Sequence, residues 1–311
     1  MDASFKIVMA HGVVVLSTAA YLLYLLAALL GFFGFFAWLL LVFAALAILG
    51  SLFVTGLAAG GAFLIGGEGG AEPRLPPEWV AMAPLALNSL CFVSLVEGGF
   101  SHFLLFGASF ALLFLTVRPK FPPPSMTSGV IAGFAAFVVV LLLSFFMQLF
   151  GVEIELLQLL GLAPVMDAEK GMQFYGWYML LVVAVAEEMW RAATYYNLLP
   201  AVGARAAAAL ATYWFIWMHL PGRILYGPLA AYILLLIGVG TLIMWYLCRG
   251  DYWGMTVAHA VYNTAVASLG TGLFLVEFAL LGFLLFALWT ERRKTKIEIA
   301  TALPVEVKAR G

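Results

Sequence analysis

The chain alternates long apolar runs with short breaks marked by glycine, proline or charge. A helix needs about 20 apolar residues to cross the hydrocarbon core of a bilayer, and on that measure the pattern predicts about ten spans. They fall near residues 8–30, 35–62, 79–96, 101–117, 128–150, 173–198, 204–220, 229–248, 253–270 and 272–290. The breaks around Gly31–Gly34 and Gly270–Gly272 carry little but glycine. Two others, "GGEGGAEPRLPPEW" (66–79) and "RPKFPPPSMTS" (118–128), combine glycine, proline and charge in a way no lipid-facing backbone tolerates. Residues 151–173 contain Glu153, Glu155, Asp167, Glu169 and Lys170 and read as an amphipathic connector at the interface or capping the bundle. The first run, Ile7 to Phe33, exceeds the roughly 7–15 residue core of a secretory signal and is taken as a retained transmembrane helix.

Composition fixes the solvent. Of 311 residues, 65% are hydrophobic and only 10% charged, with a mean hydropathy of +1.08. Soluble domains carry about 25% charged residues, so this chain cannot cover itself with polar surface and belongs in a bilayer. The net charge of −1 offers no basic field for nucleic acid. Cys91 and Cys248 sit in apolar runs and read as small buried hydrophobes, not as a disulfide or a metal site.

The expected fold class is therefore all-α, a polytopic helical bundle. Lys6, Arg74, Arg118, Lys120, Arg205, Arg249 and the basic tail from Arg292 fall on one side of a ten-span chain, Lys170 and Arg223 on the other. The bias places both termini in the cytoplasm. Three parts are expected: N-terminal helices and connector (1–172), a core carrying the chemistry (173–270), and a last helix with the basic tail (271–311). Short loops and an Ala/Leu/Gly-rich composition point to a prokaryotic plasma membrane.

Candidate chemistry begins with "LVVAVAEEMWRAATYY" (181–196), where Glu187, Glu188 and Arg191 interrupt a lipid-soluble run. A charged side chain at a helix centre opposes insertion by roughly 2.5–3.5 kcal/mol on translocon scales. On a helix Arg191 reaches Glu187 at i, i+4 or Glu188 at i, i+3, while the two glutamates diverge by about 100°. One reading is an ion pair fastening the helix to its neighbours. Two further islands weigh against that alone. "ATYWFIWMHLPG" (211–222) sets His219 one turn after Phe215, and "DYWGMTVAHAVYNTAV" (251–266) puts His259 and Asn263 on one face. A lone histidine is more often a satisfied core residue, but six polar groups on three late helices form a set. Glu97 and His102, near predicted helix ends, are expected to need no buried role, and the lone acid Glu277 has no account.

No serine, cysteine or lysine stands out as a nucleophile. A carboxylate beside histidines activates water as a general base, and histidine and asparagine stabilise the oxyanion of a tetrahedral intermediate. Two histidines and a glutamate are also a catalytic zinc set. No HExxH spacing supports it, so zinc stands second to a cofactor-free reading.

At these residues the sequence resembles the CPBP family of intramembrane proteases, named for CAAX proteases and bacteriocin-processing proteins and also called the Abi family. Its pattern is EExxxR, then FxxxH, then HxxxN or HxxxD, each on its own transmembrane helix. Phe215–His219 and His259–Asn263 match the second and third motifs. The first departs: Glu187-Glu188-Met189-Trp190-Arg191 is EExxR, one residue short. Glutamates in register make Glu187 the base, and that register is favoured because alanine cannot replace one. PrsW-type proteases share a shortened first motif, but their second motif ends in glutamate where this chain has His219. The resemblance covers residues 173–270 and implies an intramembrane endopeptidase acting on a membrane-anchored peptide or protein. It implies Glu187 and His219 as activators of water, His259 and Asn263 as oxyanion stabilisers, and Glu188, Arg191 and Phe215 in support. A proton-coupled transporter is the rival from another class, since intramembrane carboxylates and histidines also relay protons. Repeated halves or paired broken helices, expected of a carrier, are not seen in the sequence.

Overall fold

Helices form where the apolar runs predict them, and their ends fall at the glycine, proline and charged breaks. The computed structural model describes residues 2–31, 34–94, 100–151 and 182–268. In chain order these form α1 (Ala3–Leu30), α2 (Phe35–Ile65), β1 (Gly70–Pro73), α3 (Pro77–Ser94), α4 (Phe100–Thr116), β2 (Val117–Lys120) and α5 (Met126–Gln148). There follow α6 (Ala184–Trp217), a 3-10 turn (Ile224–Tyr226), α7 (Leu229–Cys248) and α8 (Tyr252–Ser268). Met1–Ala267 make one compact unit. The second unit, Ser268–Gly311, lies outside the described residues apart from Ser268, as do residues 152–181 (all but the first residue of the expected connector 151–173, and the start of the expected span 173–198), Glu97, Glu277, the predicted tenth span and the basic tail.

Five of the described helices are long and apolar enough to cross a membrane: α1, α2, α5, α6 and α7. Their outer faces carry exposed large apolar side chains, among them Leu16, Trp38, Phe53, Leu57, Leu142 and Phe145. Such continuous apolar surface is what a lipid-solvated bundle presents.

The 34-residue α6 is not one straight rod. Trp190 and Phe215 have ring centroids 6.2 Å apart, whereas 25 helical steps would separate them by about 37 Å. The chain doubles back after Pro200 at Gly203, whose φ of 77° and ψ of 168° are open to glycine almost alone. The two limbs correspond to the predicted helices 173–198 and 204–220. In the first limb every residue from Ala186 to Leu198 is buried, and α2, α3 and α4 pack against α6. This answers how charge is carried here, since Glu187, Glu188 and Arg191 meet protein and not lipid.

The expectation of an all-α chain needs one amendment. Glycine- and proline-rich breaks 66–79 and 118–128 pair as a two-stranded antiparallel ribbon, Gly70 opposite Lys120 and Pro73 opposite Val117. Each segment satisfies the other's backbone, which neither run signals alone. Lys120 pairs with Glu72; the hydrogen bond and the ammonium charge hold that exposed carboxyl below the usual carboxylate range. The ribbon gathers the basic residues. Glu68 donates its N–H to Arg249 O at 3.2 Å, Arg205 packs on Gly66, and Ser4 Oγ donates to Ala201 O at 3.0 Å. Among the described residues, Arg74, Arg118, Lys120, Arg205, Arg249 and the start of α1 therefore lie toward one end of the bundle.

Helix α8 is held by two devices. Asp251 accepts from Trp253 N (3.1 Å) and Gly254 N (2.9 Å) at its start and from Ser125 N (2.8 Å) at the start of α5. Farther along, Gly129 and Gly133 of α5 let the helices touch. A Cβ there would stand 2.5 Å from Gly254 O and 2.4 Å from Ala258 O respectively, the close approach that small-xxx-small spacing permits.

Candidate active site

Four segments carry the polar set to one place. The first limb of α6 brings Glu187, Glu188 and Arg191, and the turn after its second limb brings His219. Helix α8 brings His259 and Asn263, and α4 brings His102.

Arg191 chooses the nearer glutamate. It forms a buried ion pair with Glu188 Oε2 at i, i+3, and its guanidinium carbon lies 5.0 Å from the Phe215 ring and 5.2 Å from the Trp245 ring. A charge held between two aromatic faces and a carboxylate tolerates burial. Glu188 Oε1 accepts from His259 Nδ1 at 2.9 Å. Glu188 is thus engaged on both oxygens, and Cys248 is a buried free thiol outside this set.

Glu187 points elsewhere, as an offset of about 100° requires. Its Oε2 lies 3.7 Å from His219 Nε2 and 3.7 Å from His259 Nε2, while its Oε1 lies 3.7 Å from His102 Nε2. Such distances exceed a hydrogen bond, and Oε2 is buried with no direct hydrogen-bond partner. Side-chain tautomers follow from the other ring nitrogens. His219 Nδ1 faces the Phe215 carbonyl at 2.7 Å, and His259 Nδ1 faces the Arg-paired Glu188. Both acceptors demand an N–H, so an imidazole with a single proton carries it at Nδ1 and turns its Nε2 toward Glu187. Two ring nitrogens and one carboxylate oxygen then face a common gap.

Beside this spot lies a cavity of about 40 Å³ lined by Phe215, His219, His259, Asn263, Tyr262 and four residues of α7. A water needs roughly 10–15 Å³, so the space and its polar walls suit one. Compared with family models, curated proteins and solved structures, the chain finds no match. Its site is read from its own geometry.

All seven residues singled out from the sequence come together here. Phe215 is their hub: its ring meets His219 edge-on at 5.0 Å and His259 at 5.9 Å, beside Arg191. The expectation for His102 is overturned. One turn into α4, it reaches Glu187 from a helix that the sequence left without a role. Its signal was weak because a histidine near a helix end is ordinary; only the parallel packing of α4 on α6 reveals it. Thr116 at the far end of α4 hydrogen-bonds Asn197 of α6, so the two helices run in the same direction. Histidine alone is no criterion: His11 accepts from Trp214 Nε1 at 2.6 Å and faces Ala81 O at 3.2 Å, a satisfied core residue. Among the described residues, no group of three or more His, Cys, Asp or Glu side chains is arranged to hold a metal ion.

Proposed function

We propose that the protein is an intramembrane endopeptidase in which Glu187 activates water, in keeping with its resemblance to the CPBP family. The observation that carries the reading is the division of labour between the glutamates. Glu188 is tied to Arg191 and His259, while Glu187 Oε2 faces the Nε2 atoms of two imidazoles with no direct hydrogen-bond partner. A water there donates to Glu187 and to an imidazole, leaving an oxygen lone pair for attack.

The reaction balances as follows. Water gives a proton to Glu187 while its oxygen bonds to the peptide carbonyl carbon, and the carbonyl π pair moves onto oxygen. The side-chain N–H of Asn263 stabilises that oxyanion, with His259 contributing when it carries a second proton. On collapse the C–N bond breaks, Glu187 protonates the departing amine, and the acid product ionises. Arg191, Glu188 and Phe215 hold His259 and His219 in register.

In this reading the chain spans the plasma membrane of a prokaryote about ten times, taking about 20 residues per span, with the basic face and both termini in the cytoplasm. Its substrate is a membrane-anchored peptide or protein, as the family resemblance implies. Comparing membrane proteomes of wild-type and Glu187→Gln cells tests it: the expected result is a set of peptide termini lost in the variant at unchanged expression. Cleavage should survive a metal chelator; loss with chelator and recovery with zinc would move the reaction to a zinc mechanism. An ion flux in proteoliposomes that requires Glu187, without any cleavage, would replace the protease with a transporter.

A further inference from the structure

We propose that His102 is a positioning residue for Glu187, so that the reactive centre depends on the N-terminal half of the chain as well as on the three late motifs. This deepens the protease reading and rests on it for the reaction concerned, but the contact itself is independent of what is cleaved.

A buried carboxylate has two oxygens to satisfy and a terminal torsion that turns freely over a broad range. Glu187 presents Oε2 to His219 and His259, and the opposite oxygen, Oε1, to His102 Nε2 at 3.7 Å. A histidine ring at that distance on the Oε1 side, with its N–H turned to the carboxylate, attracts Oε1 electrostatically and favours the rotation that keeps Oε2 aimed between the other two rings. Without it, rotation carries Oε2 out of reach of the water. His102 can do this because its helix is fixed in register with α6: the Thr116–Asn197 hydrogen bond pins the other end, and the helices pack along their length. It faces Glu187 from the side opposite His219 and His259, so it acts through the base and not on the substrate.

The chain has four histidines, which makes the test direct. Full-length protein labelled with ¹⁵N-histidine in lipid nanodiscs yields side-chain nitrogen resonances, assigned by single His→Gln variants. Glu187→Gln should shift His102, His219 and His259 and leave His11, which binds Trp214 and Ala81, where it was. His102→Phe should shift His219 and His259 through the reoriented carboxylate, with His11 again unmoved as proof of fold. An unmoved His102 signal in Glu187→Gln, or unmoved His219 and His259 signals in His102→Phe, overturns the proposal. Turnover supplies the second readout, on a peptide identified by the proteome comparison. His102→Phe should lower kcat about 100-fold at unchanged KM, the order of effect of misplacing a catalytic group by an ångström. His102→Gln, which restores an N–H donor, should recover most of it. Wild-type kcat in His102→Phe, or no recovery in His102→Gln, refutes the positioning role. If Glu187→Gln still cleaves, the protease mechanism fails separately, and the resonances alone decide whether His102 orients Glu187.

Discussion

Glu187 and Glu188 are neighbours in sequence with opposite environments. One helical step of about 100° turns Glu188 to Arg191 and His259 and Glu187 to the gap between His219 and His259. Arg191 is the residue on which this division hangs. Replacing it by methionine keeps most of the volume but leaves Glu188 as a buried carboxylate without its cation, and breaking a buried pair this way costs about 3–5 kcal/mol. Arg191→Met should therefore lower the thermal midpoint in detergent markedly. Arg191→Lys should recover only part, because a lysine lacks the planar group that lies between Phe215 and Trp245. Equal melting of wild type and Arg191→Met would mean the ion pair is not what holds the helix. The pairing of Arg191 with a glutamate was legible from spacing alone. Which glutamate it takes was not, because i, i+3 and i, i+4 are both within reach of a long side chain.

At the scale of elements, helix limits were readable because they depend on local hydropathy and on breakers such as Pro200, Gly203 and the Pro122–Pro124 run. Contacts between helices were not. The Gly129/Gly133 pair lies in a span the sequence marked only as apolar, yet it sets the distance between α5 and α8. Gly133→Leu should force α8 outward and draw His259 away from Glu188. The expected result is a protein that still inserts and stays helical by circular dichroism but loses cleavage by at least about 100-fold, the scale of an ångström-sized misplacement. Full activity in Gly133→Leu would mean α8 is free to adjust. Gly203→Ala should weaken the hairpin of α6 by about 1–3 kcal/mol, the cost of holding a side chain in that backbone region, seen as a lower thermal midpoint.

For the whole molecule, the basic loops meet on one face, and α5 runs from that face for about 34 Å, enough to cross the hydrocarbon core. Single cysteines in place of Lys6, Glu72 or Gly151, in a chain with Cys91 and Cys248 changed to serine, test the sidedness. Lys6→Cys and Glu72→Cys should react with a membrane-impermeant maleimide from the same side, and Gly151→Cys from the other. Labelling of Lys6→Cys and Glu72→Cys from opposite sides would break the topology.

By itself the sequence determined the solvent of this protein, the position of most of its helices and the residue types of its candidate site, since each is a property of a short stretch: its hydropathy, its breakers, its i, i+3 and i, i+4 neighbours. Only the tertiary structure decided that two glycine-rich breaks pair as strands, that α6 folds back on itself at close range, that Glu187 faces the Nε2 atoms of His219 and His259 while Glu188 takes Arg191 and His259 Nδ1, and that His102 joins them. Those facts belong to pairs of segments far apart along the chain, and they arise from how helix surfaces fit, which no single stretch of residues encodes.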